Sequence, residues 1–247
     1  TPARATAASS ALPLLLSPIS MKNYAGQCDF HPPTRLTEIK TTSWGRQRAH
    51  ELRSYLDAKK RPYVHLLDGG LSDNIGMRSV LETTALVGDL EATFQLLGVT
   101  KVRKLVYLMV SAETSPDPDQ YILNEIPGLM RVSRALIDIP INRYSTDTFE
   151  FLNQAVTQWR MQLRQRPPGV ESAFTEDADI YFINASLTEL ENLEEQLRLM
   201  NIPTNLALTG EQVDQLLLAG SHLLQNDKEF QRLMRDLAEE AAVHPSP

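Results

Sequence analysis

One cysteine, Cys28, in 247 residues excludes an intrachain disulfide and any zinc site built on cysteines. The five histidines, His31, His50, His65, His222 and His244, are dispersed, with no His-x-x-x-His or glutamate-linked spacing, so no metal site is expected. No apolar run approaches the roughly 18–20 residues that a membrane-spanning helix needs. Basic residues are scarce and scattered: 24 face 31 acidic ones, for a net charge of −7. The densest run, Lys59-Lys60-Arg61, is too short for a polybasic arm, and no nucleic-acid partner is expected. Internal repeats and low-complexity tracts are also missing.

What is present is ordinary globular composition, 42% apolar and 22% charged, which argues against global disorder. The length admits one large domain or two small ones and is enough to bury a core. The chain opens at Thr1 on a small-residue run that ends in Leu12-Pro13-Leu14-Leu15-Leu16. Pro13 interrupts the run and Pro18 closes it. A helix end leading into a loop at residues 17–20 therefore fits better than the remnant of a secretory signal.

Residues 23–44 read as loop, and 45–60 as a helix with Ala49, Leu52, Tyr55 and Leu56 at helical spacing. Tyr63 to Leu67 has the apolar run of a short buried strand. A helical stretch follows from Asn74 to Leu97, with Gly88 as a break and Gly98 in the C-terminal cap position. Lys104 to Val110 is a near-continuous apolar run, expected of a strand covered on both faces. Residues 114–146 are punctuated by Pro116, Pro118, Pro127 and Pro140, with Asp117-Pro118-Asp119 as a turn, and a helix is expected over 149–164. Within it Trp159 and Met161 read as an ordinary packed face rather than a lid. Residues 179–184 read as a third strand. Ser186-Leu187-Thr188-Glu189 has the form of a capping box opening a helix to Met200, and Thr209-Gly210-Glu211-Gln212 repeats it before 213–224. A last helix is expected from Asp227 to Ala242. Alternation of helix and strand indicates an α/β fold.

The segment with chemistry is His65-Leu66-Leu67-Asp68-Gly69-Gly70-Leu71-Ser72-Asp73-Asn74. An apolar strand delivers a carboxylate at its end, two glycines permit close approach to it, and a polar cluster opens the next helix. In open α/β sheets ligand sites lie beyond the carboxyl ends of the strands, where Asp68 would sit. The same tripeptide is also a plain turn sequence, with Ser72 or Asp73 serving only as a helix cap. A calcium loop fails, since Asp73 stands where its sixth-position glycine belongs and Ser79 where its final glutamate belongs.

Asp68-Gly69-Gly70 followed by Asp73-Asn74 resembles the catalytic-aspartate signature of patatin-like phospholipases. The upstream block Ala7-Ala8-Ser9-Ser10-Ala11-Leu12-Pro13, continuing to Ser17-Pro18-Ile19, resembles the Ala-Ser-x-Ala-x-Pro block that precedes that aspartate. Val110-Ser111-Ala112-Glu113 and Ile202-Pro203-Thr204 are similar to the bacterial branch. The resemblance covers most of the chain outside about 115–175.

It implies a patatin-like three-layer α/β/α sandwich of which residues 1–247 form the C-terminal part, 1–115 carrying the aspartate block and 116–247 a mostly helical remainder. It also implies a serine-type lipid acyl hydrolase with a Ser–Asp dyad and no cofactor, acting on phospholipid or other lipid esters. Asp68 would accept the serine proton, with Gly69, Gly70, Asp73 and Asn74 around it. Peripheral contact with a cell-envelope or other membrane surface, through apolar loops such as Leu14–Ile19, belongs to the same expectation.

The other half of such a site is missing from these residues. No Gly-x-Ser-x-Gly elbow occurs, and Gly220-Ser221, the only serine preceded by glycine, reads as helix interior. Gly69-Gly70 is the only adjacent glycine pair, so no glycine-rich oxyanion loop is present. In the family both elements precede the Ala-Ser block, which places them before Thr1 and predicts that this chain alone is inactive. The surface meeting the missing strands should then be unusually apolar. The alternatives are a non-catalytic patatin-like interaction or regulatory module, and a generic α/β binding domain in which Asp68 only caps a turn. Asn184-Ala185-Ser186 matches a glycosylation sequon but also fits a strand end, and His65 is expected as a core or site-adjacent side chain.

Overall fold

The computed structural model describes residues 2–13, 16–27, 29, 31–32, 43–113, 128–167, 169–202 and 207–243. Cys28, His244, the prolines at 116, 118 and 127 with the expected turn at 117–119, and Pro203-Thr204 lie outside them. Among the described residues the architecture is mixed α/β with two small sheets. The chain forms two compact units, Thr1–Thr100 with Leu136–Leu152, and Lys101–Ala135 with Asn153–Pro247.

The first unit holds α1 (Pro2–Ser9), β1 (Ile19–Lys22), α2 (Ser43–Tyr55), β2 (Tyr63–Leu66), α3 (Gly70–Asp73), α4 (Arg78–Val87) and α5 (Leu90–Leu96). Strands β1 and β2 pair antiparallel, Ile19 opposite Leu66 and Lys22 opposite Tyr63. Strand β1 falls in part where the sequence reads as loop. Strand β2 is found where expected but is not buried: Tyr63 is 58% exposed, because a two-stranded ribbon leaves much of its surface in water.

Helix α2 stops at Tyr55, short of the expected residue 60. The Asp57 carboxylate there accepts the amides of Lys59 and Lys60 at 3.1 and 3.2 Å, winding the chain into a turn. Asn23 Nδ2 donates to the Tyr55 carbonyl at 2.8 Å, satisfying an acceptor left over at the helix end. The helix expected over 74–97 is broken into pieces. Gly88, at φ +126°, closes α4 with its amide on the Thr84 carbonyl, and Asp89 caps α5 by accepting from Ala92 N. Gly98 has φ +67°, in keeping with its expected role past the helix end.

The second unit is built on β3 (Val102–Ser111) and β4 (Phe174–Ser186), which pair in parallel with Leu105 beside Ile180 and Ser111 beside Ser186. A parallel pair requires a long crossover, and the connection here includes α6, Leu129–Arg164. This helix starts far earlier than the expected residue 149 and runs through Pro140. Proline removes one intrahelical bond but has the helical φ, and a long helix absorbs it.

Residues 180–183 of β4 are buried without alternation, whereas β3 alternates. Leu105, Tyr107 and Met109 are covered or partly covered, but Val106, Leu108 and Val110 are 42, 53 and 73% exposed. Full cover of β3 is therefore corrected. Tyr181 and Ile183 are sealed by Leu224, Phe230 and Leu233 from α8 (Gly210–Asn226) and α9 (Lys228–Val243). Their register neighbours Val106 and Leu108 lie beyond that cover. On the other register set, Tyr107 meets the buried Trp159 ring at 5.9 Å, so Trp159 is packing.

The Thr209–Gln212 capping box forms as expected at the start of α8. The Ser186–Glu189 box does not open a helix to Met200. Ser186 caps only a 3-10 turn, Leu187–Glu189, because Glu189 is engaged by Asn184 Nδ2 and Leu190 turns extended. Asn192 instead caps α7 (Leu193–Met200) by accepting from Glu195 N at 3.0 Å. Among the described residues, no helix is long and apolar enough to cross a membrane.

Candidate functional site

Asp68 follows strand β2 and is anchored through its backbone. Its amide donates to the Ala11 carbonyl at 3.1 Å, and the Gly69 amide donates to the Ser9 carbonyl at 3.4 Å. The segment after α1 and the segment after β2 are thus held side by side. Strand pairing of β1 with β2 continues this contact, since both segments flank the ribbon.

Crowding, rather than an unusual torsion, marks one of the two glycines, Gly70. Gly69 has ordinary helical angles, φ −62° and ψ −30°. A Cβ at Gly69 would stand 3.4 Å from Ser9 Oγ, an ordinary contact. A Cβ at Gly70 would stand 2.9 Å from both Asp68 Oδ1 and Asn74 Oδ1, closer than real contacts allow. Gly70 is buried, and its amide donates to Asp68 Oδ1 at 2.7 Å. The turn then closes through Ser72 N and Asp73 N, which both reach the Gly69 carbonyl.

The structure therefore brings together Asp68, Gly70 and Asn74, with Gly69 against Ser9. Asp73 does different work. Its Oδ1 accepts from Gly76 N at 3.0 Å and its Oδ2 from Arg78 N at 2.7 Å, so it organises the start of α4. Nothing in the sequence alone places Ser9 against Gly69 or Ala11 against Asp68. The spacing of the two blocks along the chain carried no distance information.

His65 is not a core residue. It is exposed on the ribbon, where its Nδ1 and Ser20 Oγ lie 2.7 Å apart across the strand pair. Ser221, inside α8, donates to the Leu217 carbonyl at 2.9 Å and is exposed, with no strand-to-helix elbow around it. Of the expected membrane loop, residues 14 and 15 lie outside the described ones, Leu16 is exposed, and Ile19 is paired with Leu66. Glu113, just past β3, is half-buried, and desolvation raises its carboxyl above the usual range.

The second unit contains a richer charged cleft of about 350 Å³, lined in part by Lys104, Asp179, Tyr181, Asp236 and Glu240. Its groups are engaged with one another. Arg232 lies on the Tyr181 ring at 4.0 Å and binds Asp179, Glu229 and the Ile180 carbonyl. Arg160 reaches the same carbonyl and Glu229, Tyr181 donates to Asp236, and Lys104 pairs with Glu240. Burial works against the Arg232 charge, but its bonds to Glu229 and Asp179 outweigh that and hold the guanidinium protonated. This is a packing lattice for α9 on β4. Among the described residues, no group of three or more His, Cys, Asp or Glu side chains is placed to hold a metal ion.

No protein-family model, no curated protein and no solved structure matches this chain.

Proposed function

We propose that this chain is part of a patatin-like lipid acyl hydrolase, contributing Asp68 as the carboxylate of a Ser–Asp dyad. Phospholipid or neutral-lipid carboxylic esters are the substrate class. The observation that carries the reading is the backbone pairing of Asp68 and Gly69 with Ala11 and Ser9, which joins the two sequence blocks that the resemblance rests on. The Gly70 amide on Asp68 Oδ1 supports it further, because it fixes the carboxylate. A fixed carboxylate can take a hydroxyl proton only within hydrogen-bond reach, which makes positioning the main contribution of these residues.

The nucleophile and oxyanion amides are assigned to residues outside these 247, since no Gly-x-Ser-x-Gly occurs within them. The apolar stripe Val106, Leu108 and Val110 is a sheet face of the kind that a further layer of such a sandwich would cover. In a longer protein carrying the serine elbow, Asp68→Asn should lower ester turnover by about 10²–10⁴-fold. Labelling by a fluorophosphonate probe should fall in parallel. The 247-residue chain alone should hydrolyse no p-nitrophenyl ester; turnover by it that Asp68→Asn abolishes would sink the assignment.

A further inference from the structure

Charge in this acidic protein is unevenly placed. At one end of the β1–β2 ribbon, Lys22, Lys59, Lys60 and Arg61 are all exposed, and Asp57 is the one carboxylate among residues 56–63. That carboxylate is already engaged: it accepts the Lys59 and Lys60 amides and lies 3.5 Å from Lys60 Nζ. The backbone bond from Lys60 leads the effects that hold its pKa below the usual range. The patch therefore keeps an excess of positive charge in a chain whose net charge is −7.

Two tyrosines stand beside these cations with most of their surface in water. Tyr24 and Tyr63 are each 58% exposed, and Lys22 Nζ lies 5.3 Å from the Tyr24 ring. Arg61 lies 4.6 Å from the Tyr55 ring. A shallow groove of about 520 Å³ runs between Lys22 and Lys59, with Ala25, Leu56, Ala58 and Pro62 among its lining. Asn23 ties the arrangement together. Its Nδ2 donates to the Tyr55 and Arg61 carbonyls, and its backbone amide to the Pro62 carbonyl at 2.9 Å.

We infer that this end of the ribbon docks on an anionic phospholipid surface, with Lys22, Lys59, Lys60 and Arg61 facing headgroup phosphates and Tyr24 and Tyr63 entering the interfacial layer. Exposed lysines and arginine supply attraction to anionic lipid despite the unfavourable net charge, because screening confines the interaction to charges near the surface. Tyrosine has an apolar body and a polar tip, which suits the boundary between headgroups and acyl chains. The choice of a membrane over another polyanion rests on the lipid-hydrolase reading. The docking itself is read from binding alone, so its failure is distinguishable from loss of Asp68-dependent turnover on a soluble ester.

The test is co-sedimentation of the full chain with phosphatidylcholine vesicles, with and without phosphatidylserine, at low and high salt. Binding should require phosphatidylserine and be lost at high salt. Lys22→Gln with Lys59→Gln should weaken it roughly thirtyfold. Circular dichroism checks that this variant folds, and the salt series on the unaltered chain tests the same electrostatics without any substitution. Equal binding to neutral vesicles, binding indifferent to salt, or no vesicle binding would each overturn the inference. So would capture of a single-stranded oligonucleotide in preference to phosphatidylserine vesicles.

Discussion

The surroundings of β2 and of β4 differ in what holds them. Around β2 the chain is fixed by backbone hydrogen bonds, by Asn23 and Asp57 side chains bonded to main chain, and by a turn at Gly70 where a larger residue would crowd Asp68 Oδ1 and Asn74 Oδ1. Around β4 it is fixed by buried side chains, Ile180 to Ile183, and by two arginines bridging the strand to a helix. The first arrangement leaves surface free for chemistry and docking. The second buries most of what it touches. The candidate carboxylate lies in the first, where a side chain can be held without being sealed from a substrate.

This contrast is tested most severely at the buried strand. Ile183→Ala should destabilise the second unit by about 2–5 kcal/mol, since the side chain is 1% exposed and seals Leu233. Urea unfolding followed by Trp159 fluorescence in a Trp44→Phe background would read it; an unchanged midpoint would place the stabilising core elsewhere. Next in size is Gly70→Ala, expected at about 1–3 kcal/mol because the new methyl collides with Asp68 Oδ1 and Asn74 Oδ1. Amide exchange at Asp68 and Gly69 should accelerate, and protection at wild-type levels would show that the crowding relaxes freely.

Thr209→Ala removes the capping box and should lower stability by about 1 kcal/mol, detectable as fraying of the first turn of α8. The smallest effect at neutral pH is expected for Tyr107→Phe. Burial pushes the Tyr107 hydroxyl up to about 12, above its ordinary unfolded value of about 10. A folded-state pKa raised in this way contributes stability below pH 10 that is lost as pH climbs towards 12. The phenylalanine variant should therefore show a shallower fall in alkaline stability over that window, and parallel curves would remove the burial argument.

How much of this was legible depends on the kind of signal. Local chemistry was readable: the Thr209–Gln212 cap, the helix ends at Gly88 and Gly98, and Asp68 at a strand terminus all follow from short-range rules. Tertiary cover was not. An apolar run at 104–110 announces a strand but does not say that Val106, Leu108 and Val110 stay exposed. Pro140 suggested a boundary because propensity cannot register the packing that carries a long helix through a proline. Ile19-Ser20-Met21-Lys22 was too short and too close to Pro18 to stand out as a strand until β2 supplied its partner. At the site, the glycines were visible but their reason was not, since the collision at Gly70 involves Asn74 as folded.

The interleaving of the two units has a consequence for the order in which they are completed during synthesis. The first unit includes Leu136–Leu152, which leave the ribosome only after all of β3, a strand of the second unit, has been made. At roughly 5–20 residues per second, residues 101–135 precede that helix segment by several seconds. For that interval the nascent first unit lacks part of its own sequence while the apolar β3 waits for β4. Truncation after Thr100 would likewise release an incomplete unit, so any division of this protein into fragments has to respect α6 rather than the midpoint of the chain.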